Sequence, residues 1–290
     1  MYARPGRPRV LPLSTLLLVL LTGVAQRPLA QATAPGASSL PASEAQAKAA
    51  LERSPRHGEY VEVPVAAADR PVRAWVVYPE RKDKAPIVIV IHEIFGLSDW
   101  IRAVADQLAK EGFIAIAPDL VSGKGPGGGG TEAAPDRDAV VKLVTSLSAP
   151  EVQARLDAAR EYAIKLPASS GITAAIGFCW GGSTSFTYAT TQPALKAAVV
   201  YYGTPPPVAA MSKIQAPVLG LYGGDDARVT STVDAAKAEM AKIGKAYEAE
   251  VYQGAGHGFL RAQEDRNGAN LKATEQAWPR TLAFLRAHLK

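Results

Sequence analysis

Ile176-Gly177-Phe178-Cys179-Trp180-Gly181-Gly182 lies between an apolar run, Ile172–Phe178, and a helical pattern over Thr184–Thr190. The spacing is Gly-x-Cys-x-Gly. Glycines two positions to either side of a reactive residue let a strand turn sharply into a helix and raise that residue above the sheet. The thiol would then sit at a helix N-terminus, where the dipole favours thiolate, and the Trp180 N–H would face a developing oxyanion. A lone cysteine is ordinarily a small buried hydrophobe. On such a turn it reads as a nucleophile.

Upstream, Ile87-Val88-Ile89-Val90-Ile91 is a continuous β-branched run, the pattern of a parallel strand buried on both faces. Further strands are expected at Glu59–Val65, Val72–Tyr78, Ile114–Ala117, Ala197–Tyr202, Val218–Tyr222 and Ala249–Tyr252. Helical patterns fall between them at Trp100–Glu111, Pro150–Leu166 and Val233–Ile243, and a last one comes at Leu271–His288. The alternation predicts an α/β fold with a mostly parallel central sheet flanked by helices on both faces, the two leading strands forming an antiparallel edge. Ligands in such sheets bind at the carboxyl ends of the strands.

Chemistry is therefore expected where strands end. Gly223-Gly224-Asp225-Asp226 closes one strand and Gly254-Ala255-Gly256-His257-Gly258-Phe259 comes after the last. Of the two histidines after Cys179, His288 lies in the amphipathic terminal helix, so His257 is the candidate base. Spacing leaves Asp225 and Asp226 both open as the group that orients it. The glycine-rich stretch 122–136 lacks the Gly-Lys-Ser/Thr of a phosphate cradle. It reads as a flexible loop near the site or a plain surface insertion.

With 290 residues, 48% of them hydrophobic, the chain can build a core without disulfides. One cysteine excludes an intrachain disulfide or a cysteine-cluster metal site. Residues 1–32 have the form of a secretory signal peptide: Arg4, Arg7 and Arg9 precede the apolar run Val10–Val24, and Ala30-Gln31-Ala32 has small-x-small form. The apolar run is shorter than a membrane-spanning helix requires. Cleavage would remove four arginines and no acids, taking the net charge from +5 to +1. The basic balance thus belongs to the leader and gives no support to nucleic-acid binding. An exported protein, periplasmic or extracellular, is expected, with 33–57 as a flexible tether, one helical stretch at Glu44–Arg53, and a domain over 58–290.

The motifs together resemble dienelactone hydrolase (carboxymethylenebutenolidase), a cysteine branch of the α/β-hydrolase fold, over about residues 59–290. The matching pieces are His92-Glu93-Ile94-Phe95-Gly96-Leu97, Gly177-Phe178-Cys179-Trp180-Gly181-Gly182, Asp226-Ala227-Arg228-Val229 and Gly256-His257-Gly258-Phe259. The resemblance implies the triad Cys179, Asp226 and His257, choosing Asp226 by its place three before a Val. It implies an oxyanion hole from the backbone N–H groups of Ile94 and Trp180. It gives Glu93 the task of meeting the resting thiol and moving when substrate arrives, which would limit oxidation in an exported enzyme. It also implies two arginines for a substrate carboxylate: Arg261 fits one, and Arg137, at the end of the glycine-rich loop, falls near the other.

The expected activity is hydrolysis of a lactone or small ester, the substrate being expected to carry a carboxylate, with no metal and no organic cofactor. Two other readings stand beside it: a thiol amidohydrolase, and a non-catalytic protein of the same fold that binds a small carboxylate. An Asp downstream of the turn favours the first reading over the second. The presence of Cys, Asp and His together speaks against the third. Tyr201 and Tyr202 could line a pocket or pack in the core.

Overall fold

The β-branched run at 87–91 forms most of β3 (Ala85–Ile91), and its side chains part between the two faces of one sheet. Val88 and Val90 enter one apolar cluster, and Ile87, Ile89 and Ile91 enter the other. The computed structural model describes residues 1–3, 6, 40–66 and 69–290. Most of the expected signal peptide therefore lies outside the described residues, as do residues 33–39. Among the described residues, no helix is long and apolar enough to cross a membrane.

Among the described residues the sheet has eight strands: β1 (Gly58–Val63), β2 (Val72–Val77), β3, β4 (Ile114–Pro118), β5 (Ser169–Phe178), β6 (Ala197–Tyr201), β7 (Val218–Gly223) and β8 (Tyr247–Tyr252). Their order is β1-β2-β4-β3-β5-β6-β7-β8. β1 and β2 pair antiparallel, as does β2 with β4, and every other pair is parallel. All eight strands fall where the apolar runs place them, with ends shifted by a few residues.

The helices are α1 (Glu44–Glu52), α2 (Asp99–Lys110), α3 (Arg137–Thr145), α4 (Ala149–Ile164), α5 (Trp180–Thr191), α6 (Val208–Met211), α7 (Ala227–Thr230), α8 (Val233–Lys242) and α9 (Ala269–His288). Side chains of α2 and α9 share a core with Val88, Val90, Ile176 and Leu219, whereas α4 packs on Ile87, Ile89 and Ile114 across the sheet. α5 and α8 close that second face over β6.

Two segments differ from expectation. Residues 40–57 do not behave as a flexible tether, because α1 is docked on the domain. Ala47 and Ser43 are fully buried, and Leu51 packs against the main core. The Glu44 N–H donates to the Arg261 carbonyl at 2.9 Å, and Gln263 donates to the Pro41 carbonyl at 2.9 Å. Beyond the helix, Arg56 clasps Asp106 of α2 with two hydrogen bonds, and Ser54 adds a third. Small alanine side chains let this helix lie close without the broad apolar stripe that marks a docked helix in sequence.

The glycine-rich loop is likewise tied down. Asp119, just after β4, accepts from the Thr131 N–H and the Thr131 hydroxyl, both at 2.7 Å. Thr131 in turn accepts from the Leu97 N–H at 3.0 Å. The loop thus braces the turn after β3 and delivers Arg137 at the start of α3, a helix capped by Asp136.

Candidate active site

Strand register alone assembles the centre. Ile91 pairs with Gly177 across β3 and β5, so Glu93 and Cys179, each two residues further on, emerge side by side. Phe178 pairs with Tyr201, which brings Tyr202 to the same rim. Gly223 pairs with Tyr252, so the turns carrying Asp226 and His257 leave adjacent strand ends.

Cys179 has φ 55° and ψ −116°, a conformation costly for a residue with a side chain. The surrounding chain imposes it. A Cβ on Gly177 would lie 1.9 Å from the Gly181 carbonyl oxygen, and one on Gly181 would lie 2.3 Å from that of His92. Only glycine lets the three backbones approach so closely, and the Cys179 N–H is held by the Tyr201 carbonyl at 3.0 Å.

Burial pushes the Cys179 thiol up to about 11, and the Glu93 charge pushes the same way. The backbone N–H groups of Trp180 and Ile94 and the charge of Arg228 act against that rise and favour thiolate without overcoming it. The dipole argument from sequence thus had the right sign and lost to desolvation. The two N–H groups expected to form the oxyanion hole are thus both placed to favour negative charge at Cys179, and a carbonyl oxygen attacked by its sulfur would develop charge near them.

His257 Nδ1 lies 2.5 Å from Asp226 Oδ2, with Asp226 buried and His257 partly open to solvent. Asp225 instead pairs with Arg266 at 3.1 Å on the surface. The choice left open by spacing is thereby resolved: Asp226 faces the imidazole. Tyr202, a residue the sequence left between pocket and core, packs edge-on against His257 with ring centroids 5.1 Å apart. It has φ 42°, and its buried hydroxyl has no protein partner among the described residues. Tyr201 bonds Thr281 at 2.7 Å in the core.

Glu93 is buried, with Arg261 Nε 2.7 Å from its Oε2, although that N–H is turned off the line to the oxygen. Burial raises the Glu93 carboxyl to about 7; Glu44 adds to the rise, while Arg261 and Arg137 oppose it. The folded chain therefore holds a proton here between about pH 4.5 and about 7 that the unfolded chain has already released. Stability from this site is complete below the unfolded value and is lost as pH rises through about 7. Relative to Glu93→Gln, the natural chain should lose about 3 kcal/mol of unfolding free energy between acid and mildly alkaline solution. Urea titrations of both proteins across that range measure it, and parallel pH curves would contradict it.

Arg261 and Arg137, expected as an anion-binding pair, do converge. Arg261 Nη1 lies 2.5 Å from Glu44 Oε2, and Arg137 Nη2 lies 3.2 Å from Glu44 Oε1. Phe95 lies beneath both guanidinium groups, at 3.4 Å from Arg137 and 5.3 Å from Arg261. Glu44 and Phe95 were not singled out as site residues in sequence. Glu44 is 217 residues from Arg261, so no local pattern could have joined them. His92 is a buried brace rather than a reacting group. Its ring lies on Trp180, Nδ1 is 2.7 Å from the Glu93 carbonyl, and Nε2 accepts the Leu120 N–H at 3.1 Å. Among the described residues, no group of three or more His, Cys, Asp or Glu side chains is gathered to hold a metal ion.

Comparison with known proteins identifies the family of the chain. The model of the dienelactone hydrolase family matches residues 72–289. A Methylorubrum extorquens protein named "Putative carboxymethylenebutenolidase" is 32% identical over 242 residues, covering 78% of this chain and 80% of its own. A like-named Salmonella typhimurium protein is 33% identical over 234 residues, covering 77% and 84%. The crystal structure of a Klebsiella pneumoniae protein titled "Putative Dienelactone Hydrolase" superposes with a TM-score of 0.70 at 31% identity, covering 80% of this chain and 98% of its own. An acylaminoacyl peptidase of Pyrococcus horikoshii, at 14% identity and a TM-score of 0.65, shares the α/β-hydrolase fold alone. The family match runs from β2 through α9, the whole frame that carries the thiol and the imidazole, and the chain is a hydrolase belonging to the dienelactone hydrolase family.

Proposed function

We propose that this hydrolase cleaves lactones or small esters by covalent catalysis at Cys179, with His257 as general base and acid and Asp226 holding the imidazole. The observation that carries the reading is a strained thiol after β5, two backbone N–H groups that favour negative charge on it, and a carboxylate-anchored histidine after β8, all at the carboxyl edge of one sheet, with Tyr202 after β6 packed on the histidine. The thiol proton passes to His257 Nε2 as sulfur attacks the carbonyl carbon, and the oxyanion forms against the N–H groups of Ile94 and Trp180. Collapse breaks the carbon–oxygen bond, the leaving alkoxide takes the proton from His257, and a thioester remains. Water then gives a proton to His257, attacks the thioester and releases the acid; the sulfur recovers its proton.

Glu93 belongs to the resting state in this reading. Burial keeps the thiol protonated and the Glu93 charge adds to that effect, while the contact of Glu93 with Arg261 gives a route by which substrate arrival shifts it. Arg261 and Arg137 provide a place for a substrate carboxylate, since guanidinium groups suit carboxylate geometry. Export to the periplasm or the exterior rests on the sequence of residues 1–32, and in such a compartment a thiol kept protonated until use would resist oxidation.

Hydrolysis of 4-nitrophenyl butyrate and of cis-dienelactone, followed by absorbance, tests the reading. An acid quench during turnover should trap the acyl group on the peptide containing Cys179, read by mass spectrometry. Turnover with the adduct on another residue, or no turnover of either compound, would defeat it.

A further inference from the structure

We propose that Glu44 is an internal competitor for the anion subsite of Arg261 and Arg137, and so weakens the enzyme's preference for carboxylate-bearing substrates. The inference rests on the ester-hydrolase reading above, but its geometry stands apart from that reading. One carboxylate spans both arginines, Oε2 toward Arg261 and Oε1 toward Arg137, over the shared ring of Phe95. That is the arrangement a substrate carboxylate would adopt, and it is already filled by a side chain from α1, which lies outside the span matched by the family.

The charges in this cluster cancel. Arg261 and Arg137 bring two positive charges, and Glu44 with ionised Glu93 brings two negative ones. An arriving anion finds a neutral cluster and gains attraction only if Glu44 leaves. Glu44 can leave without α1 moving, because its side chain is 38% exposed while the helix start is held by other bonds. These are the Glu44 N–H to the Arg261 carbonyl, Ser43 to Glu264, and Gln263 to the Pro41 carbonyl. Each turnover of an anionic substrate thus trades one carboxylate for another. An uncharged ester makes no such exchange.

Glu44→Gln preserves the shape and leaves one net positive charge. The test compares kcat/KM for 4-nitrophenyl hemisuccinate with that for 4-nitrophenyl butyrate in the full chain, above the Glu93 midpoint and at low salt. The anionic-to-neutral ratio should rise about tenfold or more in Glu44→Gln, chiefly through a lower KM for the hemisuccinate, and the gain should shrink in salt. A ratio that stays put, or a common fall for both esters as expected if Glu44 only holds the fold, overturns the proposal. Calorimetric titration of succinate into Cys179→Ala and into Cys179→Ala with Glu44→Gln separates the two readings. Succinate binding about tenfold tighter in the double variant supports the competitor role even where neither ester is cleaved, and equal affinity refutes it.

Discussion

Cys179→Ala should lower hydrolysis of 4-nitrophenyl butyrate by a factor on the order of 10³ or more while the protein stays folded. The loss is large because alanine leaves no atom to which an acyl group could be transferred, at a position where the backbone N–H groups of Trp180 and Ile94 favour negative charge. Alanine keeps a Cβ at the same φ of 55°, so the turn and its close glycine contacts persist. The volume lost is small and partly open to solvent, so the stability cost should be about 1 kcal/mol. Initial rates under saturating substrate, with thermal melting of the same samples, measure both quantities. A variant that melts normally and retains activity within about tenfold of the natural chain would move the nucleophile elsewhere.

This expectation could be framed from sequence because its signal is local. Glycines at 177 and 181 sit beside the thiol in the chain, and the steric reason for them, a carbonyl oxygen where a Cβ would be, is already implied by the turn they flank. Strand positions were legible for a similar reason: β3 and the second half of β5 are buried on both faces, and uninterrupted apolar runs record that. α3 was missed because it comes after a glycine-rich loop and buries only Val140 and Val144.

What the sequence hid depends on contacts between distant residues. The Ala-rich composition of 40–57 is compatible with a tether, and only the partners supplied by Arg261, Gln263 and Asp106 make it a docked segment. The fine electrostatics were hidden too. A helix N-terminus beside Cys179 argues for thiolate, but burial and the Glu93 charge, both set by packing, carry the thiol the other way. Nor could adjacency distinguish Asp225 from Asp226, since the turn after β7 sends one to Arg266 on the surface and the other to His257.

That divergence supplies the second large effect. Asp226→Asn should reduce kcat by about 10²- to 10⁴-fold, whereas Asp225→Asn should stay within about twofold. Asp226 Oδ2, 2.5 Å from His257 Nδ1, favours the proton on that nitrogen, which in the proposed mechanism leaves Nε2 to take the thiol proton. An asparagine can turn its amide N–H toward Nδ1, shift the ring proton to Nε2, and leave no base facing the thiol. In the proposed mechanism the carboxylate would also stabilise the imidazolium formed as sulfur attacks, and a neutral amide would give up that attraction in a buried position. Asp225 shares a half-exposed surface ion pair with Arg266, the kind of contact whose loss costs little. The thiol itself remains in Asp226→Asn, so iodoacetamide labelling at strongly alkaline pH should proceed near the natural rate while ester turnover collapses. Equal losses in the two asparagine variants would mean that the turn, rather than the carboxylate at His257, had been damaged.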